Sequence, residues 1–174
     1  MTTMRTSPAR RSTRSSRGAL IALLTGAGVV FSPFVAQASA PGGGPTIAAP
    51  AAPVVAPTAA AQVAIDTALA QLGKPYVWAG AGPSSYDCSG LVQYAFGAAG
   101  ISLPHSSQLQ STMGVPVARA DLQPGDVIAF YSPVGHVGIY LGNGLMVHAP
   151  TTGDVVRIAA VDTMWGYNTA RRLV

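Results

Sequence analysis

Three side chains in this sequence have the types and spacing to run a nucleophilic reaction: Cys88, His136 and His148. Cys88 is the only cysteine among 174 residues, and His105, His136 and His148 are the only histidines. The thiolate is the useful nucleophile, and a free cysteine near pKa 8.5 is mostly protonated at neutral pH. The stretch "YDCSGLVQYAF" (86–96) sets Cys88 at the mouth of an apolar, helix-like run. Two influences there would lower the thiol pKa. Unsatisfied N–H groups at a helix N-terminus carry partial positive charge, and a nearby imidazole can take the proton. Asp87 opposes both as an adjacent negative charge, unless its carboxylate is held as the helix cap.

The two histidines flank "GNG" (142–144), and the length of that bend decides which sheet face each occupies. With Asn143-Gly144 as a two-residue turn, residue 139 would face 148 and the rings would point to opposite sides. With a three-residue loop, Gly138 faces His148, and His136 lies diagonally across on the same face, about 7–8 Å away at Cα. Gly144 suits the left-handed residue of a three-residue hairpin, so this second register is expected. It lets His136 face the sulfur with one ring nitrogen while His148 orients the other, the logic of a catalytic triad. Spacing alone leaves two other readings open. A lone cysteine is often a small buried hydrophobe, and Cys/His/His with a water is a ligand set for catalytic zinc.

The elements that must position these groups follow from periodicity. Residues 60–73 place Val63, Ala64, Thr67, Ala68 and Leu72 at helical spacing and run into Gly73, which predicts a first helix ending there. A second helix is expected from Cys88 to Gly100, burying Leu91, Val92, Ala95, Phe96 and Ala99. Ser107, three residues before Gln110, offers a capping box for a short third helix. After "LQPGD" the period changes to two. Strands are expected at 127–131, 136–141, 145–149 and 155–161, with a last one near "NTARRL". Helices followed by strands indicate an α+β domain with helices against an antiparallel sheet. Gly80, Gly82, Gly125 and Gly138 read as backbone requirements for turns or close packing.

The N-terminus reads differently. Residues 1–18 carry five arginines and no acid, an apolar stretch follows to Phe31, and "AQASA" supplies small residues at alternating positions. This is the pattern of a secretory signal peptide over 1–38, cleaved after Ala38 or Ala40. Its apolar run is too short for a confident membrane span, so no stable span is expected in the mature form. Residues 39–60 are an Ala/Pro-rich linker, which leaves 61–174 as one domain. From Ser39 onward five bases meet six acids, a net charge of −1. The basic pI of about 9.6 therefore belongs to the leader, and no footprint for nucleic acid remains. The single cysteine rules out an internal disulfide framework, and it lies too far from the cleavage site to be a lipid attachment point.

Three segments in order, "GKPYVWAGAGPSSYDCSGLVQYAF", "ISLPHSSQLQ" and "DLQPGDVIAFYSPVGHVGIYLGNGLMVHAP", resemble the NlpC family of cell-wall endopeptidases over roughly residues 62–174. The resemblance implies a papain-like α+β fold, with the cysteine helix packed on a small antiparallel sheet. It implies a secreted, extracytoplasmic peptidoglycan hydrolase that acts at the cell wall as a monomer and needs no metal or organic cofactor. The substrate would be peptidoglycan stem peptides, cut between D-γ-glutamate and a diamino acid such as meso-diaminopimelate. Cys88 would be the nucleophile, His136 the general base and then acid, and His148 the orienting third member. Tyr76 would share the oxyanion with the Cys88 backbone N–H. Asp87 and Ser89 would border the stem peptide, with a structural cap an equal reading for Asp87. In the segment of His105 many relatives carry an arginine after the proline, and the residue there would help bind substrate carboxylates. A catalytically silent binding or regulatory module of the same fold is the competing reading, and amidase or acyl-transfer chemistry by the same triad a third.

Overall fold

The computed structural model describes residues 55–174. The expected signal peptide, and the linker as far as residue 54, lie outside the described residues.

Helix α1 spans Ala59–Leu69, with the Thr58 side chain accepting from the Ala61 N–H as its N-cap. It begins two residues before the expected domain start and ends four before Gly73, because the chain tightens after Ala70 into turns closed by Gln71 N–H to Ala68 and Leu72 N–H to Leu69. Its buried face is Ala61, Ala64, Ile65 and Ala68, while Val63 is 41% exposed. In "AAAQVAIDTAL" only Gln62 and Asp66, bonded to each other one turn apart, mark an outward strip, and the many alanines elsewhere leave the rotation loosely fixed by period. Helix α2, Cys88–Ala98, buries Leu91, Val92, Ala95 and Phe96 as expected; Ala99 is its C-cap and only partly buried. The one-turn helix α3 is Ser107–Gln110. Its cap is Ser106, whose hydroxyl accepts from Leu109 N–H, one residue earlier than the expected Ser107.

Six strands form one antiparallel sheet: β1 Val115–Val117, β2 Val127–Phe130, β3 His136–Gly142, β4 Leu145–His148, β5 Arg157–Ala160 and β6 Tyr167–Arg172. Their order across the sheet is β1-β6-β2-β3-β4-β5. Five of the six match sequence expectation. The exposed "VPV" of β1 pairs at the sheet edge with β6, and its central proline hides it from a propensity reading. Period two sorts the sheet faces. Val127, Ala129, Val137, Ile139 and Val147 join the core formed with α1 and α2. Ile128, Phe130 and Met146 form a second, smaller cluster with Ala159 and Val161. The fold is α+β, papain-like, with the helices ahead of the sheet in the chain.

The hairpin between β3 and β4 combines both readings of "GNG". Asn143 (φ 52°) and Gly144 (φ 74°) make a two-residue turn, and Gly142 pairs directly with Leu145. A bulge between Tyr140 and Gly142 then adds one residue on β3, so Tyr140 faces Met146 and Ile139 faces Val147. That is the register expected from a three-residue loop. The bulge, rather than the loop, brings the two histidines to one face.

Candidate active site

Asp87 is the N-cap of α2: its Oδ1 accepts from the Gly90 N–H at 2.7 Å and from the Ser89 hydroxyl at 3.0 Å. Cys88 is therefore the first residue of a capped helix, as the sequence expects. The helix start is clamped by the loop before it. Gly80 O accepts from Asp87 N–H at 2.8 Å, and a Cβ on Gly90 would meet that same oxygen at 1.9 Å. Only glycine allows the approach, which fixes the segment carrying Tyr76 and Trp78 against the first turn of α2. From the other side Gln110, fully buried, donates through Nε2 to Ser89 O (2.9 Å) and Pro104 O (2.8 Å). This fastens the His105 loop to the same turn.

A cleft of about 410 Å³ opens above the helix start, and its lining includes Tyr76, Trp78, Asp87, Cys88, His105 and His136. Ser89 lines it as well. His148 does not. It is 1% exposed and lies behind His136, with His136 Nε2 2.9 Å from His148 Nδ1. His136, the first residue of β3, is 4% exposed. Its bond to His148 occupies Nε2, so Nδ1 is the nitrogen left for the cleft. Gly138 makes room for this pairing, since a Cβ there would stand 3.2 Å from His148 Cβ and 3.1 Å from Val147 O. The two imidazoles are bonded to each other rather than converging on a shared point, an arrangement unlike a Cys/His/His zinc centre.

The electrostatics of the site depart from expectation in one respect. Burial pushes the Cys88 thiol above its ordinary pKa, and Asp87 adds to that. The backbone N–H groups of Val137, Ser89 and Cys88 pull it down without reversing the sign. The helix start acts as expected, but desolvation outweighs it. Burial likewise holds His136 down to about 4. His148 falls to about 3 through burial, then the charges of His136 and Arg157. Both shifts act in the direction of a neutral thiol and a neutral imidazole. Tyr76, half-buried and lining the same cleft as Cys88, is raised by burial and by the charges of Cys88 and Asp87, which keeps its phenol in protonated, hydrogen-donating form.

Asp87 and Ser89 face the cleft with their polar atoms already engaged, and His105 completes the arrangement. His105 Nε2 lies 2.9 and 2.8 Å from the two carboxylate oxygens of Asp87. Its ring is about one-quarter exposed, and Nδ1 remains for a ligand. Among the described residues neither lysine nor arginine lines the cleft. Sequence reasoning missed three contributors. Trp78, 82% exposed at the cleft wall, was visible only as a loop aromatic. In the sequence Gln110 reads only as the far member of a capping box. Arg157, directly across from His148 on β5 and 3.1 Å from Asp154, carried no local signal because its partner is set by strand pairing.

Comparison with known proteins agrees with this geometry. A family model described as NlpC/P60 matches residues 73–173. A probable endopeptidase of Mycobacterium tuberculosis is 55% identical over 108 residues, covering 62% of this chain and 28% of that protein. The peptidoglycan endopeptidase RipA of the same organism is 44% identical over 119 residues, covering 60% and 25%. This chain thus spans about a quarter of the length of these two relatives. Among solved structures, an NlpC/P60 family protein from Bacillus cereus superimposes with a TM-score of 0.63 at 36% identity, covering 69% of this chain and 41% of that one. The M. tuberculosis peptidoglycan hydrolase RipB gives 0.60 at 32%, covering 66% and 65%. A cysteine at the capped start of a helix, sharing a cleft with the first of two bonded histidines, sits within the matched span, and the chain belongs to the NlpC/P60 family.

Proposed function

We propose that this chain is a secreted peptidoglycan hydrolase, a cysteine endopeptidase that cuts the D-γ-glutamyl–meso-diaminopimelate bond of stem peptides at the cell wall. The observation that carries the reading is the alignment of Cys88, His136 and His148: a sulfur and an imidazole lining one cleft, with a second imidazole bonded behind the first at 2.9 Å.

The chemistry starts from the neutral pair. Cys88 Sγ attacks the γ-glutamyl carbonyl as its proton passes to His136 Nδ1, and the carbonyl π electrons move onto oxygen. The Cys88 N–H and the Tyr76 hydroxyl stabilise that oxyanion, a charge absent from the ground state. As His136 becomes cationic, its Nε2–H donates to His148 Nδ1, which holds the ring in orientation. Collapse of the intermediate breaks the C–N bond, and His136 returns its proton to the leaving amine. The acyl group remains as a thioester on Cys88. His136 then takes a proton from water, hydroxide adds to the thioester, and loss of sulfur releases the γ-glutamyl carboxylate. The thiolate recovers its proton from His136. No step calls for a metal or an organic cofactor.

The test is to incubate the full chain with purified muropeptides and identify new termini by mass spectrometry. A γ-glutamyl carboxyl and a free amine on the diamino acid are expected. Saturable muropeptide binding without turnover would replace this reading with that of a silent binding module.

A further inference from the structure

Two tryptophans are almost fully exposed: Trp78 (82%) and Trp165 (78%). Trp78 is part of the cleft wall. Trp165 follows the short 3-10 turn Val161–Thr163, ahead of β6, and its ring lies 4.7 Å from that of Tyr131. The triad uses neither Trp165 nor Tyr131.

Their support is rigid. Tyr131 holds a left-handed backbone (φ 74°), a costly conformation for an aromatic residue that persists only when neighbours over-determine it. Those neighbours are on β6 and just before it. Tyr131 N–H donates to Gly166 O at 2.6 Å, and Asn168 Nδ2 donates to Tyr131 O at 2.7 Å. A Cβ on Gly166 would crowd the Tyr131 ring at 3.0 Å, so glycine lets the strand run flush against it. Trp165 is thus an exposed indole on a fixed base. The base is also continuous with the cleft: Gly135 N–H donates to Phe130 O, closing the loop whose Val134, Gly135 and His136 form one wall.

We propose that the Trp165–Tyr131 pair is a saccharide-binding platform that carries the glycan strand beside the cleft. The C–H face of a pyranose carries slight positive charge and stacks on the negative face of an aromatic ring. Exposed polar residues lie within three positions of the indole in the chain: Asp162, which pairs with Arg119; Thr163; and Asn168, whose Oδ1 is not used in its bond to Tyr131. A protein partner fits less well. Two aromatic side chains offer at most about 500 Å², short of the ~800 Å² per side of a stable protein interface. The proposal rests on the peptidoglycan reading for its ligand. If the scissile bond follows a γ-linked second stem residue, the sugar lies roughly 10 Å or a little more of extended chain from the reacting carbonyl. It must then rest on the surface next to the cleft.

The experiment titrates the full chain with peptide-free β-1,4-linked oligomers of N-acetylglucosamine by calorimetry. Saturable binding is expected, weakened about tenfold or more in Trp165→Ala. Trp165→Phe, which keeps a flat face, should restore most of it. Trp165 makes few buried contacts, and circular dichroism of each variant confirms that the fold is retained. Absence of saturable binding, or equal binding by Trp165→Ala, overturns the proposal. So does a Phe variant as weak as the Ala variant. A chain that cleaves muropeptides but ignores the oligomer loses only the platform. One that binds the oligomer but cleaves nothing keeps the platform and loses the hydrolase reading.

Discussion

His105 Nε2 bridges both carboxylate oxygens of Asp87, at 2.9 and 2.8 Å, on the wall of the cleft beside Cys88. One carboxylate therefore caps α2, accepts from Ser89 and anchors His105 at the cleft wall. Because no lysine or arginine among the described residues lines the cleft, His105 and His136 are the only candidate cations those residues place there. Replacing His105 by arginine supplies a permanent charge there. The expected result is a lower KM for carboxylate-bearing stem peptides with kcat within about twofold, whereas His105→Ala raises KM. Steady-state kinetics on a defined peptide decide it; a pure kcat effect would contradict a binding role.

Asp87 also holds the thiol pKa up. Asp87→Asn keeps an acceptor for the Gly90 N–H and removes the charge, so the Cys88 alkylation midpoint should move to lower pH. For the unaltered chain that midpoint should lie above the ~8.5 of a free thiol. Iodoacetamide rates against pH give both values. A wild-type midpoint well below ~8.5 would restore the lowered thiol pKa expected from sequence.

Arg157 stands opposite His148 and disfavours its protonation. With His136 held down to about 4, the acid limb of kcat/KM should fall near that value rather than at the 6.5 of an ordinary histidine. Arg157→Gln should raise the His148 pKa, read by NMR titration of its ring protons, and leave the limb set by His136 near 4. An acid limb near 6.5 in the wild type would contradict the buried, neutral relay.

The same burial sets a stability trend. Both histidines have folded pKa values below the unfolded 6.5, so between that pH and about 4 the unfolded chain binds more protons. Stability is present above pH 6.5 and is lost as pH falls through this window. Urea midpoints at pH 7.5, 6 and 5 should decline in that order; a flat series would show that the pair protonates at no cost.

Gly138 admits the histidine pairing, and a methyl group there must displace His148 or Val147 by a few tenths of an ångström. Gly138→Ala should cost about 1–3 kcal/mol and reduce kcat more than tenfold. Gly90→Ala should be worse still, because its Cβ would meet backbone, which cannot swing aside. Thermal melts and kcat on muropeptides measure both effects.

Much of this was legible in the chain because the signals were local. Asp87 before Cys88 reads as a cap and nucleophile, and period two locates the strands of the sheet centre. The histidine register followed from "GNG", although the chain reaches it through a two-residue turn and a bulge. What stayed hidden depends on distant partners. The rotation of α1 is set by packing on α2, since beyond the Gln62–Asp66 strip its alanine-rich faces differ little. Gln110 serves Ser89 and Pro104 rather than its own helix. Arg157 meets His148 only through β4–β5 pairing, and the raised thiol pKa reflects burial that no sequence window reports.

The most direct test of the catalytic account is a single-turnover reaction of the full chain with a stem peptide, quenched in acid and weighed intact. An early adduct equal in mass to the acyl fragment, mapped to the Cys88 peptide and absent with Cys88→Ala, is the expected result. Cleavage that persists in Cys88→Ala, or an adduct on any other residue, would contradict it.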